Sequence, residues 1–312
     1  MADIGIVIVT YNSGAEIGAC LDAARPSGAE IVVVDNASTD GTIPEVRSRG
    51  IRLVANNTNR GFAAAVNQGF AALATPYVLL LNPDAELLGG LDSLCAACSL
   101  PGAAAAGGRL VDAEGRPQIG FMVRQLPTPL ILTLEVLLLN RVVPNNPINR
   151  RYRGLQLNYN IRIPVEQPAG AFLMVRRAVW QELGGFDESF YPLWFEDVDF
   201  CRRALDKGYQ LYYVPEAVAR HQGGHSISQL SVEKRRVYWY GSLLRYSAKH
   251  FRPRSFRAVC LAVVAGSLLR SVGETILQGS LRPLAVYGKV VRQASRCILF
   301  GCGDGAVPSG PE

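Results

Sequence analysis

The sequence lacks several features that would assign a function directly. The first predicted strand, residues 4–9, is not followed by G-x-G-x-x-G, so the usual dinucleotide-binding site is not expected. Because the chain enters this strand at Ile4, we expect no amino-terminal signal peptide. The longest apolar runs, residues 130–139 and 258–269, are shorter than a membrane span requires.

Cysteine is sparse and scattered along the chain. The seven cysteines are Cys20, Cys95, Cys98, Cys201, Cys260, Cys297 and Cys302. An odd, dispersed set predicts reduced thiols in a cytosolic protein. Cys95 and Cys98 form a single Cys-x-x-Cys pair with no second pair and no nearby histidine, which favours helix packing over a zinc or redox site.

Charge is distributed unevenly. Residues 231–300 contain thirteen Lys or Arg and two Glu, a local charge of +11 in a chain of net charge +6, so the remainder carries −5. A basic, apolar segment on an acidic body favours contact with an anionic surface. Nucleic acid is not predicted as a partner, because this segment has neither zinc-ligand spacing nor a recognition module.

The order of the predicted elements indicates an α/β fold with a mostly parallel sheet. Strands are predicted at residues 4–9, 31–34, 53–54 and 78–81, and helices at 15–25 and 63–74. Strands that alternate with helices over about eighty residues are typical of a Rossmann-like sheet. The run 78–81 is apolar at every position, as a central parallel strand buried on both faces would be.

Polar residues follow the run 78–81 directly. Pro83 ends the strand, so Asn82, Asp84 and Glu86 are expected at its carboxyl end, where open α/β sheets bind ligands. A carboxylate next to an amide suits a divalent cation that carries phosphate oxygens. A solvated turn is the alternative interpretation, since these residue types are common in turns.

Four motifs follow one another in a specific order over residues 9–84. They are Val9-Thr-Tyr-Asn12, Val33-Val-Asp-Asn-Ala-Ser-Thr-Asp-Gly-Thr42, Asn59-Arg-Gly-Phe-Ala-Ala-Ala-Val-Asn-Gln-Gly69 and Leu79-Leu-Leu-Asn-Pro-Asp84. This set resembles family 2 glycosyltransferases with the GT-A fold, in particular rhamnosyltransferase-like members. The resemblance implies a catalytic domain over residues 1–230, with nucleotide-sugar binding in about 1–115 and acceptor binding and catalysis in about 116–230.

The resemblance also assigns the donor site. Tyr11 and Asp35 match positions that hold the nucleotide base, and Asp84 matches the metal-binding carboxylate of the DxD motif. The metal implied is Mg²⁺ or Mn²⁺. Asn82 stands where the first acid of that motif often lies, and Val66 where many relatives carry an arginine. We also assign to donor binding Asn12, Asn36, Arg60, Asn67 and Asn82, with Arg60 as the candidate phosphate contact.

Three carboxylates, those of Glu196, Asp197 and Asp199, open a predicted helix. The helix dipole favours negative charge at this place, which is a sufficient structural explanation. The aromatic residues of segment 191–195 can desolvate a carboxylate and raise its pKa. In the family resembled here, the Glu-Asp pair at this place contains the catalytic base, so we predict Asp197 as the base and Glu196 as its support.

Two histidines flank a Gly-Gly turn after the next predicted strand. In related transferases a histidine at this distance from the base completes the metal site. His221 is therefore predicted as the second metal ligand. His225 is the second candidate, or a contact for the diphosphate.

Two segments have alternative interpretations. Residues 130–139 are either a buried helix or a membrane-facing lip beside the acceptor, and the arginines at 150–153 favour the lip. Residues 231–300 are predicted to form amphipathic helices that lie in the plane of lipid headgroups. The alternative is that they pack on the catalytic domain or on a second subunit. Residues 301–312 have the composition of a disordered tail.

The resemblance implies an inverting transferase that uses dTDP-rhamnose and a polyprenyl-diphosphate-linked saccharide in cell-envelope polysaccharide synthesis. The protein would be cytoplasmic and peripherally associated with the inner face of the plasma membrane. The sequence does not decide whether it forms a homo-oligomer. Another UDP- or GDP-sugar donor is an alternative. A sugar nucleotidyltransferase is disfavoured because the loop Tyr11-Asn-Ser-Gly14 is short and not basic. A non-catalytic nucleotide-sugar-binding scaffold is disfavoured because Asp84, Asp197 and His221 occur together.

Overall fold

The computed structural model describes residues 3–223 and 230–302. The strands of this part are β1 Ile4–Thr10, β2 Glu30–Asp35, β3 Arg52–Ala55, β4 Tyr77–Leu81, β5 Ala85–Gly89, β6 Ala103–Val111, β7 Val123–Arg124, β8 Ile163–Val165, β9 Gln167–Pro168, β10 Phe172–Arg176 and β11 Gln210–His221. The helices are α1 Ile17–Ala24, α2 Thr42–Ser48, α3 Phe62–Ala72, α4 Leu91–Cys98, α5 Pro129–Val136, α6 Leu139–Val142, α7 Pro147–Tyr152, α8 Arg177–Leu183, α9 Glu196–Asp206, α10 Val232–His250, α11 Pro253–Gln278 and α12 Arg282–Phe300.

The main sheet has the strand order β3-β2-β1-β4-β10-β6-β11-β5, with β8 beside β11. Strands β1 to β4 pair in parallel, as the sequence predicts. Strand β10 lies antiparallel between β4 and β6. The predicted subregions 1–115 and 116–230 therefore share one sheet.

The sheet is central because its strands are apolar on both faces. In β1, Ile6 and Ile8 belong to one buried cluster, whereas Val7 and Val9 belong to the cluster on the other face. Side chains alternate between faces along a strand, so a continuous apolar run requires a cover on each side. Helices on both faces supply that cover.

Parallel pairing aligns the carboxyl ends of β1, β2 and β4. Thr10, the last residue of β1, is in register with Asp35, the last residue of β2. Strand β4 ends beside them at Leu81, because β1 also pairs with β4. The polar segments that follow these strands therefore emerge at one edge of the sheet.

Two elements within residues 1–115, α2 and β5, are not predicted from the sequence. Helix α2 has seven residues, with Pro44 and the β-branched Ile43 and Val46, and its local helix propensity is low. Strand β5 follows the turn at Asn82 and pairs antiparallel with β11, far along the chain. Both elements depend on tertiary packing more than on local pattern.

The region 231–300 packs on the catalytic part of the chain, which is the alternative interpretation of its sequence. Helices α10, α11 and α12 share a buried cluster with Leu132 and Val136 of α5 and with Phe190. The carboxylate of Asp199 in α9 also contacts Lys249 Nζ at 2.8 Å and His250 Nε2 at 2.7 Å, at the end of α10. Residues 231–300 are therefore packed against the rest of the described chain and do not form a separate extension.

Helix α11 corrects the expectation that the apolar run 258–269 is too short to span a bilayer. The run lies inside a helix of 26 residues, which by length and composition is long enough to cross a membrane. A buried helix of a soluble protein passes the same test. One side of α11 is in fact buried, where it packs against α5, α10 and α12.

The cysteines also differ in part from expectation. Cys297 and Cys302 are joined by a disulfide, because the chain turns back at Gly301 after α12. The other five are free thiols. Cys95 and Cys98 lie in α4, and no group of metal-ligating side chains includes them in the described parts. The tail predicted as disordered lies outside the described residues from 303 onward.

Candidate active site

One cavity of about 980 Å³ opens at the carboxyl ends of β1 and β4. Its walls come from the loops after β1, β2 and β4, the segments 167–171 and 191–198, and the helices α5, α10 and α11. It brings together six of the predicted site residues, which are Tyr11, Asn36, Asn82, Asp84, Glu196 and Asp197. Residues that are up to 186 positions apart in the sequence thus face one space.

Asp35 and Asn12 lie behind the cavity rather than in it. Asp35 is fully buried, and its carboxylate accepts hydrogen bonds from Thr10 Oγ1 at 2.8 Å and from the Ser38 backbone nitrogen at 2.8 Å. Asn12 has a positive φ of 50°, and its Oδ1 accepts from the backbone nitrogen of Thr39 at 2.8 Å. Both side chains hold the loops after β1 and β2 together, which fixes where Tyr11 and Asn36 lie.

Asn36 lines the cavity and also organises the start of α3. Its Nδ2 donates to the carbonyl oxygen of Gly61 at 3.1 Å, and its Oδ1 accepts from the backbone nitrogen of Arg60 at 3.3 Å. The side chain of Arg60 is exposed and does not line the cavity. The structure therefore uses the main chain of Arg60 and leaves its guanidinium outside.

Asn67 does not reach the cavity either. Its Nδ2 donates to the carbonyl oxygen of Phe186 at 2.9 Å, and its Oδ1 accepts from the Phe186 nitrogen at 3.0 Å. Both polar atoms of the Asn67 side-chain amide are thus hydrogen-bonded to the loop before segment 191–198. Asn67 ties this loop to α3, more than a hundred residues away in sequence.

Asp84 and His221 form a buried pair at the sheet edge. The Nε2 atom of His221 lies 3.6 Å from Oδ1 of Asp84 and has no hydrogen-bond partner, although it is buried. Burial lowers the pKa of His221, and the charge of Asp84 opposes that shift. No group of three potential metal ligands occurs among the residues described, and His225 lies outside those residues. Asp84 and His221 are therefore the two side chains that could hold a cation here.

Gln118 sets the orientation of this histidine. Its Nε2 donates to the carbonyl oxygen of His221 at 2.7 Å, so its Oε1 must face His221 Nδ1, which lies 3.0 Å away. An accepting oxygen requires the hydrogen on Nδ1, and in the neutral ring Nε2 then carries the free lone pair. Phe121 stacks on the ring with centroids 5.2 Å apart. The lone pair is therefore directed at Asp84, as a metal ligand requires.

Glu196 and Asp197 lie in the first turn of α9 and face the cavity. Asp197 Oδ2 accepts from the Gly170 nitrogen at 3.0 Å, and Oδ1 accepts from the Val198 nitrogen at 2.8 Å. Burial raises the pKa of Asp197, while these two hydrogen bonds and the charge of Arg124 lower it in part. A half-buried carboxylate with a raised pKa in a cavity is suited to act as a base.

Glu196 differs from its neighbour in its hydrogen bonding. Its Oε2 atom is buried without a hydrogen bond. Burial, and then the negative charges of Asp197 and Asp199, raise the pKa of Glu196 well above its ordinary value. The protonated form of Glu196 is therefore stabilised relative to that of a free glutamic acid, and its carboxyl group lies beside that of Asp197 in the cavity. Asp199 is excluded from the cavity, because Arg203 Nε, at 2.7 Å, Lys249 and His250 occupy its carboxylate.

The segment before α9 is conformationally unusual. Trp194 and Phe195 both have positive φ, 78° and 72°, and neither is a glycine. Such backbone costs about 1–3 kcal/mol per residue and is concentrated at functional sites. The carbonyl oxygen of Pro192 accepts from the Phe62 nitrogen at 2.8 Å, which anchors the segment to α3. This strain places the aromatic side chains and the two carboxylates on one wall.

Several functional positions are not found from the sequence. Gln118 and Arg124 lie in the stretch 100–165, where no motif is legible, and Gly170 lies between two alanines outside the four motifs. At Gly170 an added Cβ would lie 3.1 Å from Asp197 Oδ2, so glycine permits the close approach of its main chain. The cavity wall formed by α10 and α11 is also unexpected.

Comparison with known proteins gives a consistent result. A family model described as Glycosyl transferase family 2 matches residues 5–178, and one described as Glycosyl transferase family group 2 matches residues 158–300. The N-acetylglucosaminyl-diphospho-decaprenol L-rhamnosyltransferase of Mycobacterium tuberculosis is similar, with 33% identity over 239 residues. The match covers 71% of this chain and 76% of that relative.

Two solved structures share the fold. The mannosyltransferase PcManGT from Pyrobaculum calidifontis, in complex with GDP-Man and Mn²⁺, has a TM-score of 0.54 and 17% identity, covering 96% of this chain and 87% of that chain. S. aureus TarS 1-349, in complex with UDP-GlcNAc, has a TM-score of 0.56 and 16% identity, covering 96% and 82%.

Proposed function

The chain belongs to glycosyl transferase family 2, with a GT-A fold and a rhamnosyltransferase-like sequence, and on that premise we propose that it transfers a hexose, with inversion, from a nucleotide diphosphate to a hydroxyl group of a lipid-linked saccharide. The observation that carries this proposal is the single cavity that Asp84 and Asp197 both line. We assign Asp84 to the diphosphate end of the nucleotide-sugar donor and Asp197 to the hydroxyl group of the acceptor.

The reaction needs one proton acceptor. The ionised Asp197 takes the proton of the acceptor hydroxyl while that oxygen forms a bond to the anomeric carbon. The bond from this carbon to the diphosphate oxygen breaks, and the nucleoside diphosphate leaves with the electron pair. Glu196, which lines the cavity next to Asp197, is assigned to orient the acceptor beside the base. General-base catalysis of this kind contributes about 10²–10⁴-fold.

We assign Asp84 and His221 to hold a divalent cation. The buried, unpartnered Nε2 of His221 and its short distance to Asp84 Oδ1 fit a cation between them. The complex of PcManGT with Mn²⁺ supports the same proposal. When bound, Mg²⁺ or Mn²⁺ would neutralise charge on the leaving diphosphate. Phosphate oxygens and water would complete its coordination, because the protein supplies few ligands.

The nucleotide base is assigned to the wall formed by Tyr11 and Asn36. Both residues line the cavity beside β1 and β2, whereas Asp35 supports them from behind. The donor we propose is dTDP-rhamnose and the acceptor is a polyprenyl-diphosphate-linked saccharide. The L-rhamnosyltransferase relative of Mycobacterium tuberculosis supports both choices by its name.

The donor is tested by turnover of a panel of dTDP-, UDP- and GDP-sugars with a lipid-diphosphate-linked N-acetylglucosamine. We expect transfer from dTDP-rhamnose with inversion at the anomeric carbon, read by NMR of the product. Transfer from another nucleotide sugar alone would keep the reaction class and reject the donor. If no donor is consumed under any condition, the scaffold interpretation replaces the enzyme.

We further propose that the outer face of α11 rests on an anionic membrane surface. Six large apolar side chains on this helix are each more than half exposed, and they are Leu261, Leu268, Leu269, Val272, Ile276 and Leu277. The surrounding region 231–300 has a charge of +11, which suits anionic headgroups. This placement would bring a lipid-linked acceptor to the cavity from the membrane side.

Co-sedimentation with anionic and neutral vesicles across a salt series tests this placement. Replacing Leu261, Leu268 and Ile276 together by Ser should abolish binding, while Leu88→Ser, an exposed position on β5, should leave it unchanged. If the intact chain stays in the supernatant throughout, the membrane assignment is rejected. If it instead forms a dimer that the triple variant dissociates, a second copy covers this face.

A further inference from the structure

Helix α11 carries two charged residues between positions 258 and 278, Arg270 and Glu274, and both point inward. Glu274 is fully used, because Arg236 forms a salt bridge with its carboxylate and Tyr287 OH donates to it at 2.9 Å. Arg270 has no such counterion among residues 3–223 and 230–302. The helix therefore brings one unneutralised guanidinium to its inner side.

Arg270 lines the cavity and is only partly satisfied. Its Nη2 donates to the carbonyl oxygen of Glu135 at 3.2 Å, and its guanidinium carbon lies 6.0 Å from the Tyr240 ring centroid. Its Nε atom is buried with no hydrogen-bond partner. The carboxylate of Glu135 is not its counterion, because this group accepts from Asn140 Nδ2 at 3.1 Å and forms no salt bridge within the described ranges.

Two further cations line the same wall. Lys234 and Arg235, in the first turn of α10, face the cavity, and neither forms a salt bridge with an acid in residues 3–223 or 230–302. A buried guanidinium without a counterion is unfavourable unless an anion joins it. The wall built by α10 and α11 thus carries three cationic side chains that pair with no carboxylate in the described part of the chain.

We propose that Arg270, with Lys234 and Arg235, binds the diphosphate group of the lipid-linked acceptor. This proposal rests on the transferase function proposed above and names the part of the acceptor that the cavity recognises. The Nε and Nη hydrogens of Arg270 form a planar fork that matches two oxygens of one phosphate, and such charge-assisted pairs are strong and directional. The unpartnered Nε is the donor that this contact would satisfy.

The nucleotide donor also contains a diphosphate, so the source of the anion must be decided. Arg270 lies on α11, whereas Asp84 and His221, assigned to the donor diphosphate, lie after β4 and at the end of β11. The other side of α11 is the apolar face assigned to the membrane, which is where a prenyl chain would be. The geometry therefore favours the acceptor diphosphate, with its chain continuing toward lipid.

Equilibrium binding by titration calorimetry tests the site without turnover. The probes are geranyl diphosphate, a water-soluble prenyl diphosphate, and the nucleoside diphosphates dTDP, UDP and GDP. We expect Arg270→Gln to weaken geranyl diphosphate at least tenfold and to change the affinity of the nucleoside diphosphate that binds best less than twofold. Arg257→Gln, at an exposed position of the same helix, should alter neither.

Two further variants exclude a purely structural effect. Arg270→Lys keeps the charge but loses the fork, so it should lose less affinity than Arg270→Gln at the same thermal stability. The double variant Lys234→Gln and Arg235→Gln, at accessible positions, should weaken geranyl diphosphate and flatten its salt dependence even if Arg270→Gln proves unstable. Unchanged geranyl diphosphate affinity in this pair and in Arg270→Gln overturns the site.

An equal loss for dTDP, UDP or GDP would overturn the assignment to the acceptor and place the donor there. Because these measurements need no sugar transfer, their outcome is separate from that of the transferase test. A chain that binds geranyl diphosphate through Arg270 yet transfers no sugar would reject the enzyme and keep the site. If the chain transfers sugar and these substitutions do not change geranyl diphosphate binding, the transferase function is kept and the Arg270 site is rejected.

Discussion

The backbone nitrogen of Gly170 donates a hydrogen bond of 3.0 Å to Oδ2 of Asp197. This contact joins the turn before β10 to the first turn of α9. Any side chain at position 170 would crowd the carboxylate, since an added Cβ would lie 3.1 Å from Oδ2 and 3.2 Å from the Asp197 Cβ. The group assigned as the base is thus held by the main-chain donors of Gly170 and Val198 and by a longer contact of 3.5 Å from Gln167 Nε2, and it lines the cavity.

Asp197→Asn tests this assignment. The amide is nearly isosteric but accepts no proton at neutral pH, so kcat should fall about 10²-fold or more while donor affinity is kept. Steady-state kinetics with donor binding by calorimetry measures both quantities. Asp206→Asn, exposed at the end of the same helix, is the control and should keep full turnover. If Asp197→Asn retains half its activity, Glu196 becomes the candidate base.

The cation site is tested through Gln118. Gln118→Leu should release His221 from its orientation and weaken Mn²⁺ binding about 10–100-fold, the range typical of partners that orient metal ligands. Electron paramagnetic resonance titration of Mn²⁺ measures this without turnover. Asp84→Asn and His221→Gln should each weaken binding further, and a chelator should abolish transfer. Gln125→Leu, outside the cavity, is the matched control. Full transfer in chelator would remove the cation from the mechanism.

The pH dependence of kcat/KM reports the base. Asp197 must be ionised, so activity should fall as the pH drops through its pKa, which burial raises above the ordinary value of 3.8. The positive charge of Arg124 lowers this pKa. Arg124→Gln should therefore move the acidic limb of the profile to higher pH. Arg116→Gln, exposed and remote, should leave it in place. A limb that shifts to lower pH contradicts the assignment.

Asp199 links α9 to the end of α10, and its removal should destabilise the fold. Burial alone would raise its pKa, but His250, Arg203 and Lys249 lower it below 3.8. The stability that this depressed pKa provides is therefore complete above about pH 4 and is lost as the pH falls through the folded-state value. Asp199→Asn removes the fully buried carboxylate that pairs with Arg203, and it should cost about 3–5 kcal/mol in urea unfolding at pH 7.

The same measurement on Asp206→Asn gives the scale for an exposed pair. Asp206 contacts Arg202 at the surface, and its loss should cost less than about 1 kcal/mol. As the pH falls through the depressed pKa of Asp199, the difference between Asp199→Asn and the unaltered chain should shrink, since the protonated carboxyl no longer pairs. A cost for Asp199→Asn equal to that of Asp206→Asn would show that the ion cluster does not hold the helices.

Local signals predicted the sheet and its functional edge. The runs at 4–9 and 78–81 are apolar at every position, and each is followed directly by polar residues, so strand type and the place of Tyr11, Asn82 and Asp84 could be predicted. The same signals failed for α2 and β5, whose propensities are weak and whose partners are distant. Donor assignments to Asn67 and Arg60 came from position in a motif, which does not report where a side chain points.

Asn67 and Gln118 show two ways in which sequence motifs fail to predict the role of a side chain. Asn67 lies in a motif, but its amide is occupied by Phe186, 119 residues away. Gln118 lies in no motif, but it orients His221, 103 residues away. Hydrogen bonds over such separations depend on how loops stack on the sheet, and no local pattern encodes that.

The sequence by itself determined the parallel sheet and the carboxylates at its edge, because apolar runs and turn residues act over a few positions along the chain. Its four motifs indicated the family by resemblance. Only the tertiary structure decided that Asp84 and Asp197 share one cavity, that Asp199 serves packing, and that α10 and α11 close the wall instead of lying apart. The physical reason is burial: a helix with an apolar side must cover that side, and the surface that it covers is chosen by shape complementarity between distant parts of the chain.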